Sequence, residues 1–332
     1  MPNSILISDP FGFNARRVPV TGAARSWVLN GRGSASVEAI SSDLVWAGLT
    51  GELRGHWIEI DDDDAGLWSG VISESQPNGD GTTELSAEDH RAQFNAIRTP
   101  TRSRPLRGPA GTLALTIISE STRTIGTRIR ERSADDLGQS VSLNLDGGDL
   151  RGALDNLADI SRQEWWIIPD TLAFRWGIKG SDLTGTVCLI EGRHLSDWRA
   201  PETIDPVYND LRAVPSNNRA GRFDSVFVED GASIAAVGIR QNQISIDSGS
   251  YGVHIKAAAL GLLAEAVAAG RAIECSVVNV DRCFASFVEG DTITILLASP
   301  GVRATVRVLA RSLDETGVMQ ISGIVLEREV LV

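Results

Sequence analysis

The chain has 332 residues, 42% hydrophobic and 22% charged, which places it among ordinary globular proteins of about two domains and excludes wholesale disorder. No apolar run reaches the ~18 residues of a membrane span, and MPNSILISDP has no basic segment ahead of its short apolar stretch, so neither a membrane span nor a cleaved signal is expected. A net charge of −12 and a pI near 4.9 count against a protein that holds nucleic acid by neutralising phosphates, yet suit a wall past which DNA slides.

In chain order, residues 4–8 read as an edge strand, followed by a loop rich in Pro and Gly and a short strand at Ser26–Asn30. After a Gly31–Gly33 turn, Ala35, Val37 and Ala39 alternate with polar residues on a half-buried strand. Two β runs, Gly55–Ile60 and Leu67–Ser73, flank Asp61–Asp64 and form a hairpin; Asn78–Gly81 then turns into a strand at Thr82–Ala87. Strands at this spacing indicate a small antiparallel barrel or sandwich. The four aspartates lack the later Glu and flanking helices of an EF-hand, so they read as a solvated hairpin tip that discourages edge pairing rather than a calcium loop.

Residues 98–111 are rich in Pro, Arg and Thr. Their arginines, Arg98, Arg102, Arg104 and Arg107, have no interleaved aromatics and read as a solvent loop or subunit contact rather than a nucleic-acid site. Leu113, Leu115 and Ile117 alternate like a strand, and Arg128–Arg132 has no clear period. A helix follows over 149–163, capped by Asp149, with Leu150, Ala153, Leu154, Leu157, Ala158 and Ile160 on one face. It leads into a hairpin, Trp165–Ile168 and Leu172–Gly177, across Pro169-Asp170. The tryptophans, evenly placed on strands, read as core rather than a sugar-stacking platform.

In the stretch 206–247, Val207, Asn209, Leu211 and Ala213 face one way on a strand and Tyr208, Asp210, Arg212 and Val214 the other. Pro215–Asn218 breaks it, Phe223–Val228 makes a second β run, Glu229–Gly231 turns, and Ser233–Arg240 follows. A helix over His254–Ala269, closed by Gly270, carries Ala257, Leu260, Leu263, Ala264 and Val267 on its face. Four alternating strands, 272–280, 291–297, 304–312 and 318–326, are joined by turns at Glu289–Asp291, Ser299–Gly301 and Asp314–Gly317. They read as a meander closing into a second small barrel.

No reaction chemistry stands out. Cys188, Cys275 and Cys283 lie in no CxxC or Cys/His cluster and read as small buried hydrophobes. His56, His90, His194 and His254 have no metal-ligand spacing, and HExxH, GxSxG, Walker A and GxGxxG patterns are absent. Glu191, His194 and Asp197 sit within seven positions of one another but read as a polar loop. No catalytic, cofactor or metal site is expected, and paired carboxylates remain open because their separation is spatial.

Four short likenesses occur in one order. Trp68-Ser69-Gly70-Val71-Ile72 follows an Asp-rich turn; within 150–177 a short helix precedes a two-stranded unit ending in Trp; Asn209 is followed by a polar hairpin and Ser233-Ile234-x-x-x-Gly238-x-Arg240; Phe287–Ile293 carries Gly290-Asp291. Together these resemble phage tail-tip and baseplate-hub proteins. The resemblance implies a mainly β fold with α+β insertions, built on two tube-type antiparallel barrels with short helices. Implied domains are 1–95, the first barrel; 96–205, an α+β insertion; 206–250, a β segment returning to or linking the barrels; and 251–332, a helix and the second barrel. It makes Trp68, Gly70, Asn209, Ser233, Ile234, Gly238, Arg240, Gly290 and Asp291 structural motif residues.

It further implies a structural, non-enzymatic hub at the distal end of a virion tail, made in the host cytoplasm. Such a hub is a homotrimer whose two barrels per chain meet a six-fold tail tube protein. Tape-measure protein and, in transit, DNA pass through it, and a fibre or spike attaches below. Two other classes compete: a tail-associated cell-wall hydrolase, for which the strand ending at Glu327–Val332 leaves no evident room, and a carbohydrate-binding receptor module motivated by the tryptophans. The hub of a contractile injection machine is a related structural alternative.

Overall fold

A computed structural model of the chain describes residues 4–123, 129, 132–200, 208–215, 225–246, 252–269, 271–298 and 301–331. Val207, Ser216–Asn218, Phe223, Arg128, Gly270 and Ser299-Pro300, all used in the sequence reading, lie outside these residues.

The first unit comprises β1 (Ser4–Ser8), β2 (Arg16–Val28), β3 (Ser34–Ile40), α1 (Ser41–Trp46), β4 (Trp57–Ile60), β5 (Trp68–Pro77) and β6 (Thr82–Asp89). Its strands run β1-β4-β5-β6-β3-β2 and close through β1–β2, antiparallel at every pair. β1 is therefore not the edge strand its position suggests: Ser4–Ile7 pairs with β2 and Leu6–Ser8 with β4. Inward positions alternate as the pleat requires, bringing Ile5, Ile7, Val18, Val37, Ile58, Ile60, Trp68, Ile72 and Leu85 into one core. Each such side chain contributes about 1.5–3 kcal/mol by burial.

β2 is far longer than the 26–30 strand expected, because a bulge between Val20 and Gly22 lets the strand coil around the barrel. Gly70 has no room for a side chain: a Cβ there would lie 2.1 Å from the Glu88 carbonyl oxygen. Gly70→Ala is expected to lower stability by about 3 kcal/mol, read as a fall in the urea midpoint. Gly79→Ala, with nothing within 4 Å of its added Cβ, should stay within about 0.5 kcal/mol.

The chain then leaves the barrel for an α+β unit: β7 (Leu106–Pro109), α2 (Ala110–Ser121), β8 (Arg132–Ala134), β9 (Ser140–Leu143), α3 (Leu150–Ser161), β10 (Glu164–Ile168) and β11 (Ala173–Gly177). Leu113 and Ile117 belong to a helix, not the alternating strand expected. Leu113, Ala114, Ile117, Ile118 and Ser121 form its buried stripe, a spacing of three and four that overrides the local alternation. α3 begins where Asp149 accepts a hydrogen bond from Gly152 N at 2.7 Å and ends at Arg162 in the left-handed region. Trp165 and Trp176 are buried, their ring N–H groups donating to Asp155 and Gln163.

The remainder contains β12 (Cys188–Ile190), β13 (Leu195–Arg199), β14 (Asp210–Pro215), β15 (Val226–Glu229), α4 (Gly231–Val237), β16 (Gln241–Ile246), α5 (Gly252–Ala269), β17 (Ala272–Val277), β18 (Thr292–Leu297), β19 (Val302–Leu313) and β20 (Met319–Val330). β12 and β13, from a stretch read as part of the insertion, flank the four expected late strands in the order β12-β18-β19-β20-β17-β13. A bridge between Glu191 and Leu195 links β12 to β13. α5 packs through Ile255, Ala259 and Leu263 on Leu211, Ala213 and Val228 of the separate β15-β14-β16 sheet.

The two barrels repeat one another in register. The strands follow the same chain order and the same spatial order, β1 matching β12, β2 β13, β3 β17, β4 β18, β5 β19 and β6 β20. Even the bulges coincide. One separates Val20 from Gly22 opposite Ala39 and Glu38, as another separates Leu195 from Asp197 opposite Val277 and Ser276. The bulge at Ile72/Glu74 opposite Ala87/Ser86 has its counterpart at Val308/Ala310 opposite Gly323/Ser322. One strand departs: β12 is parallel to β18, whereas β1 is antiparallel to β4.

Candidate functional site: the junction of the barrels

The barrels join edge to edge where Arg25–Val28 of β2 pairs with Leu313–Ala310 of β19, making one twelve-stranded sheet. At this seam the Arg25 and Arg311 guanidinium carbons lie 5.6 and 4.9 Å from the Trp27 ring centroid. Arg25 and Arg311 are 2% and 3% exposed, so each charge requires a counter-ion. Asp62 of the β4–β5 hairpin meets Arg25 at 2.6 Å, and Glu289 meets Arg311 at 3.3 Å. Arg311 also donates to the Phe287 carbonyl at 2.9 Å.

The Asp61–Asp64 run is thus a joint through Asp62 and Asp64, while Asp61 and Asp63 stay exposed as expected of a solvated tip. Asp62 accepts from Asp64 N and Ala65 N as well as Arg25, Asp64 pairs with Arg282 at 3.0 Å, and Ala65 is buried in the second barrel's core. Burial pushes the Asp62 carboxyl up, but the bonds from Arg25 and these amides hold it below the usual aspartate value.

Gly290 and Asp291 clamp the crossover from the α+β unit. Asp291 accepts from Ser181 N and Val288 N, both at 2.7 Å, and Gly290 adopts φ +98° with a Cβ position 2.6 Å from the Lys179 carbonyl. Lys179 pairs with Glu289, and Arg307 reaches Glu164 of β10 at 2.5 Å. Burial pushes the Glu289 carboxyl up, yet Lys179 and Arg311 more than offset this and hold it below the ordinary value. Arg311 is pulled down by burial, with Glu289 pushing back. Trp27, Trp68, Trp166, Arg91, Lys179 and Arg311 border a cavity of about 320 Å³ among the three units. Trp68 is fixed there by donating to the Ser26 carbonyl at 3.0 Å. The arrangement is charge-balanced and holds three folded units in one geometry.

A second cluster unites four of the motif residues around Asn209, which is fully buried. Its Nδ2 donates to Gly238 O at 2.8 Å and Ser233 Oγ at 3.2 Å, and its Oδ1 accepts from Arg240 N at 2.8 Å. One side chain thereby fixes both ends of α4, whose first turn is capped by Asp230 accepting from Ser233 N. Ile234 is half-buried on α4. Trp68 and Gly70, on β5, and Gly290-Asp291, before β18, sit in other parts of the fold.

Glu191, His194 and Asp197 do not converge. Glu191 accepts from Ala298 N, His194 Nδ1 accepts from Ile190 N, and Asp197 accepts from Trp198 N. Among the described residues no group of three or more His, Cys, Asp or Glu is placed to hold a metal ion. Burial, with Asp197 nearby, pushes the Cys275 thiol up to about 12. No described helix is long and apolar enough to cross a membrane. Arg25, Trp27, Lys179, Glu164, Arg307 and Arg311 of this junction form no motif in the sequence. The signal that could find them is an arginine at an inward strand position with no acid in its own segment, as at Arg25 and Arg311.

No protein-family model matches the chain, and no curated protein matches it by sequence. Solved structures do match: the fold is that of phage tail proteins and of a type VI secretion component, in agreement with the hub resemblance. The 43 kDa tail protein of prophage MuSo2 from Shewanella oneidensis superposes with a TM-score of 0.71 at 13% identity, over 97% of this chain and 98% of that one. A tail protein from Neisseria meningitidis gives 0.70 at 13%, over 97% and 95%. An E. coli type VI secretion component, itself similar to bacteriophage tail proteins, gives 0.58 at 9%, over 93% and 73%.

Proposed function

We propose that the chain is the structural hub of a phage tail tip. Three copies form a ring that closes the tail tube, converts six-fold to three-fold symmetry, anchors a fibre or spike and lets tape-measure protein and DNA pass. The in-register duplication of the barrel carries this reading. Two like barrels held edge to edge by a buried charge seam present, three times over, six similar surfaces to a six-fold tube. A chain of net charge −12 suits a lumen that does not retain DNA. The roles found for the buried side chains are structural, which favours a non-enzymatic hub over a hydrolase or glycan receptor. Immunogold labelling of particles encoded by the same genome is expected to mark one end of the tail; label spread along the tail, or absent from particles, contradicts the proposal. The fold match to the E. coli type VI component favours the hub of a contractile injection machine as a second reading. A sheath around the labelled particles separates the two.

A further inference from the structure

Inside the chain, barrel one presents three things to barrel two: the end of β2, the β4–β5 hairpin and, through that hairpin, Asp64 and Ala65. Barrel two receives them on the C-terminal half of β19 and on residues 280–286, the connection from β17 to β18, where Arg282 meets Asp64. The repeat assigns each receiving element a counterpart in barrel one. The counterpart of Ala310–Leu313 is Glu74–Pro77 of β5, since the bulges and cross-strand partners align. The counterpart of residues 280–286 is α1, the connection from β3 to β4.

Among the described residues, nothing covers the outer edge of the first counterpart or the outward face of the second. β4 pairs with β5 only as far as Val71, a further bond from Gly55 N reaches Ile72 O, and Glu74–Pro77 is paired with β6 alone among the described residues. Such an open edge invites another strand. α1 exposes Val45 at 59% and Trp46 at 88%, with Ile40 beside them at 41%, whereas residues 281 and 282 in the matching segment are charged. A solvent-facing tryptophan of this exposure is an anchor of the kind that dominates protein interfaces.

We infer that this face receives a second copy of the chain, and that the contact between copies repeats the contact within one. The β18–β19 hairpin of the neighbouring copy lies over Trp46, and the end of its β13, at Arg199-Ala200, adds to the Glu74–Pro77 edge. The contact is heterologous, so it propagates head to tail, and a rotation of one third of a turn per copy closes it as the ring of three that the hub reading requires. The chemistry differs from the internal seam: Ser75 stands where Arg311 stands in the repeat, so the apolar Trp46 takes the place of the arginine–tryptophan stack. The inference rests on the hub reading for its occupant and adds the surface.

Two variants test it on the full chain. Trp46→Asp is expected to keep the wild-type circular dichroism and weaken self-association at least ~100-fold by sedimentation velocity. Pro77→Cys combined with Ala200→Cys, counterparts of the paired Leu313 and Arg25, is expected on oxidation to give a covalent ladder ending at three copies. A trimer untouched by Trp46→Asp and giving no ladder overturns this interface while leaving the hub reading in place. A wild-type chain that stays monomeric throughout the micromolar range overturns both.

Discussion

Glu289→Gln should destabilise the chain by about 3 kcal/mol and erase part of its acid sensitivity. The wild-type carboxylate stands between Lys179 and Arg311, and the variant leaves Arg311, 3% exposed, without its anion. Breaking one side of a buried pair costs more than the pair is worth, because the remaining charge keeps its desolvation penalty. The pH dependence follows from the depressed folded carboxyl. Its stabilisation is complete above the ordinary glutamate value of 4.5 and is lost as the pH falls through the folded value. Urea titrations from neutral to acid pH should therefore show the two proteins converging at low pH. A constant gap would place the loss in packing rather than charge. Because Glu289 ties Lys179 of the crossover to Arg311 of the seam, the variant should also loosen the α+β unit from the barrels, visible as faster amide exchange in Ser181–Thr184.

Asn209→Ala should cost about 2–4 kcal/mol, with its effect confined to one unit. Three hydrogen bonds vanish, and Gly238 O and Arg240 N are left in place without the partner that Asn209 supplied. Asn209→Asp separates geometry from charge: its oxygens still accept from Arg240 N, but nothing donates to Gly238 O and a charge enters a fully buried position. Both variants should melt α4 and the β14–β16 pairing in hydrogen exchange while the barrels keep their protection. Equal loss across the whole chain would mean that this unit is not a separate cooperative block.

Local chemistry writes some elements plainly into the sequence. The β4–β5 hairpin, the Asp149-capped α3 and the β10–β11 hairpin follow from turn residues and periodicity within short windows. The Asn209 cluster was visible only as a spaced pattern, because its partners lie 24 to 31 residues away and one side chain gathers them. β12 and β13, three and five residues long, give little local signal, and the strands they pair with lie about a hundred residues away in sequence for β12 and about eighty for β13. α2 looks like a strand in sequence because Leu113, Leu115 and Ile117 alternate by chance, while Ala114 and Ile118 complete the helical stripe. The duplication itself has almost no signature in residue type: Trp68 and Gly70 occupy the places of Ala304 and Val306, large exchanged for small. What the halves share is backbone register and bulges, which amino-acid identity does not report.

In the proposed hub one chain carries the barrel twice so that three chains imitate six subunits. Electron microscopy of the purified full-length protein at micromolar concentration, with its mass measured by light scattering on the same sample, tests it most directly. The expected particle is a closed ring of three copies with six barrel-sized lobes around a central opening. Single copies, or rings whose lobes do not number two per chain, would contradict it.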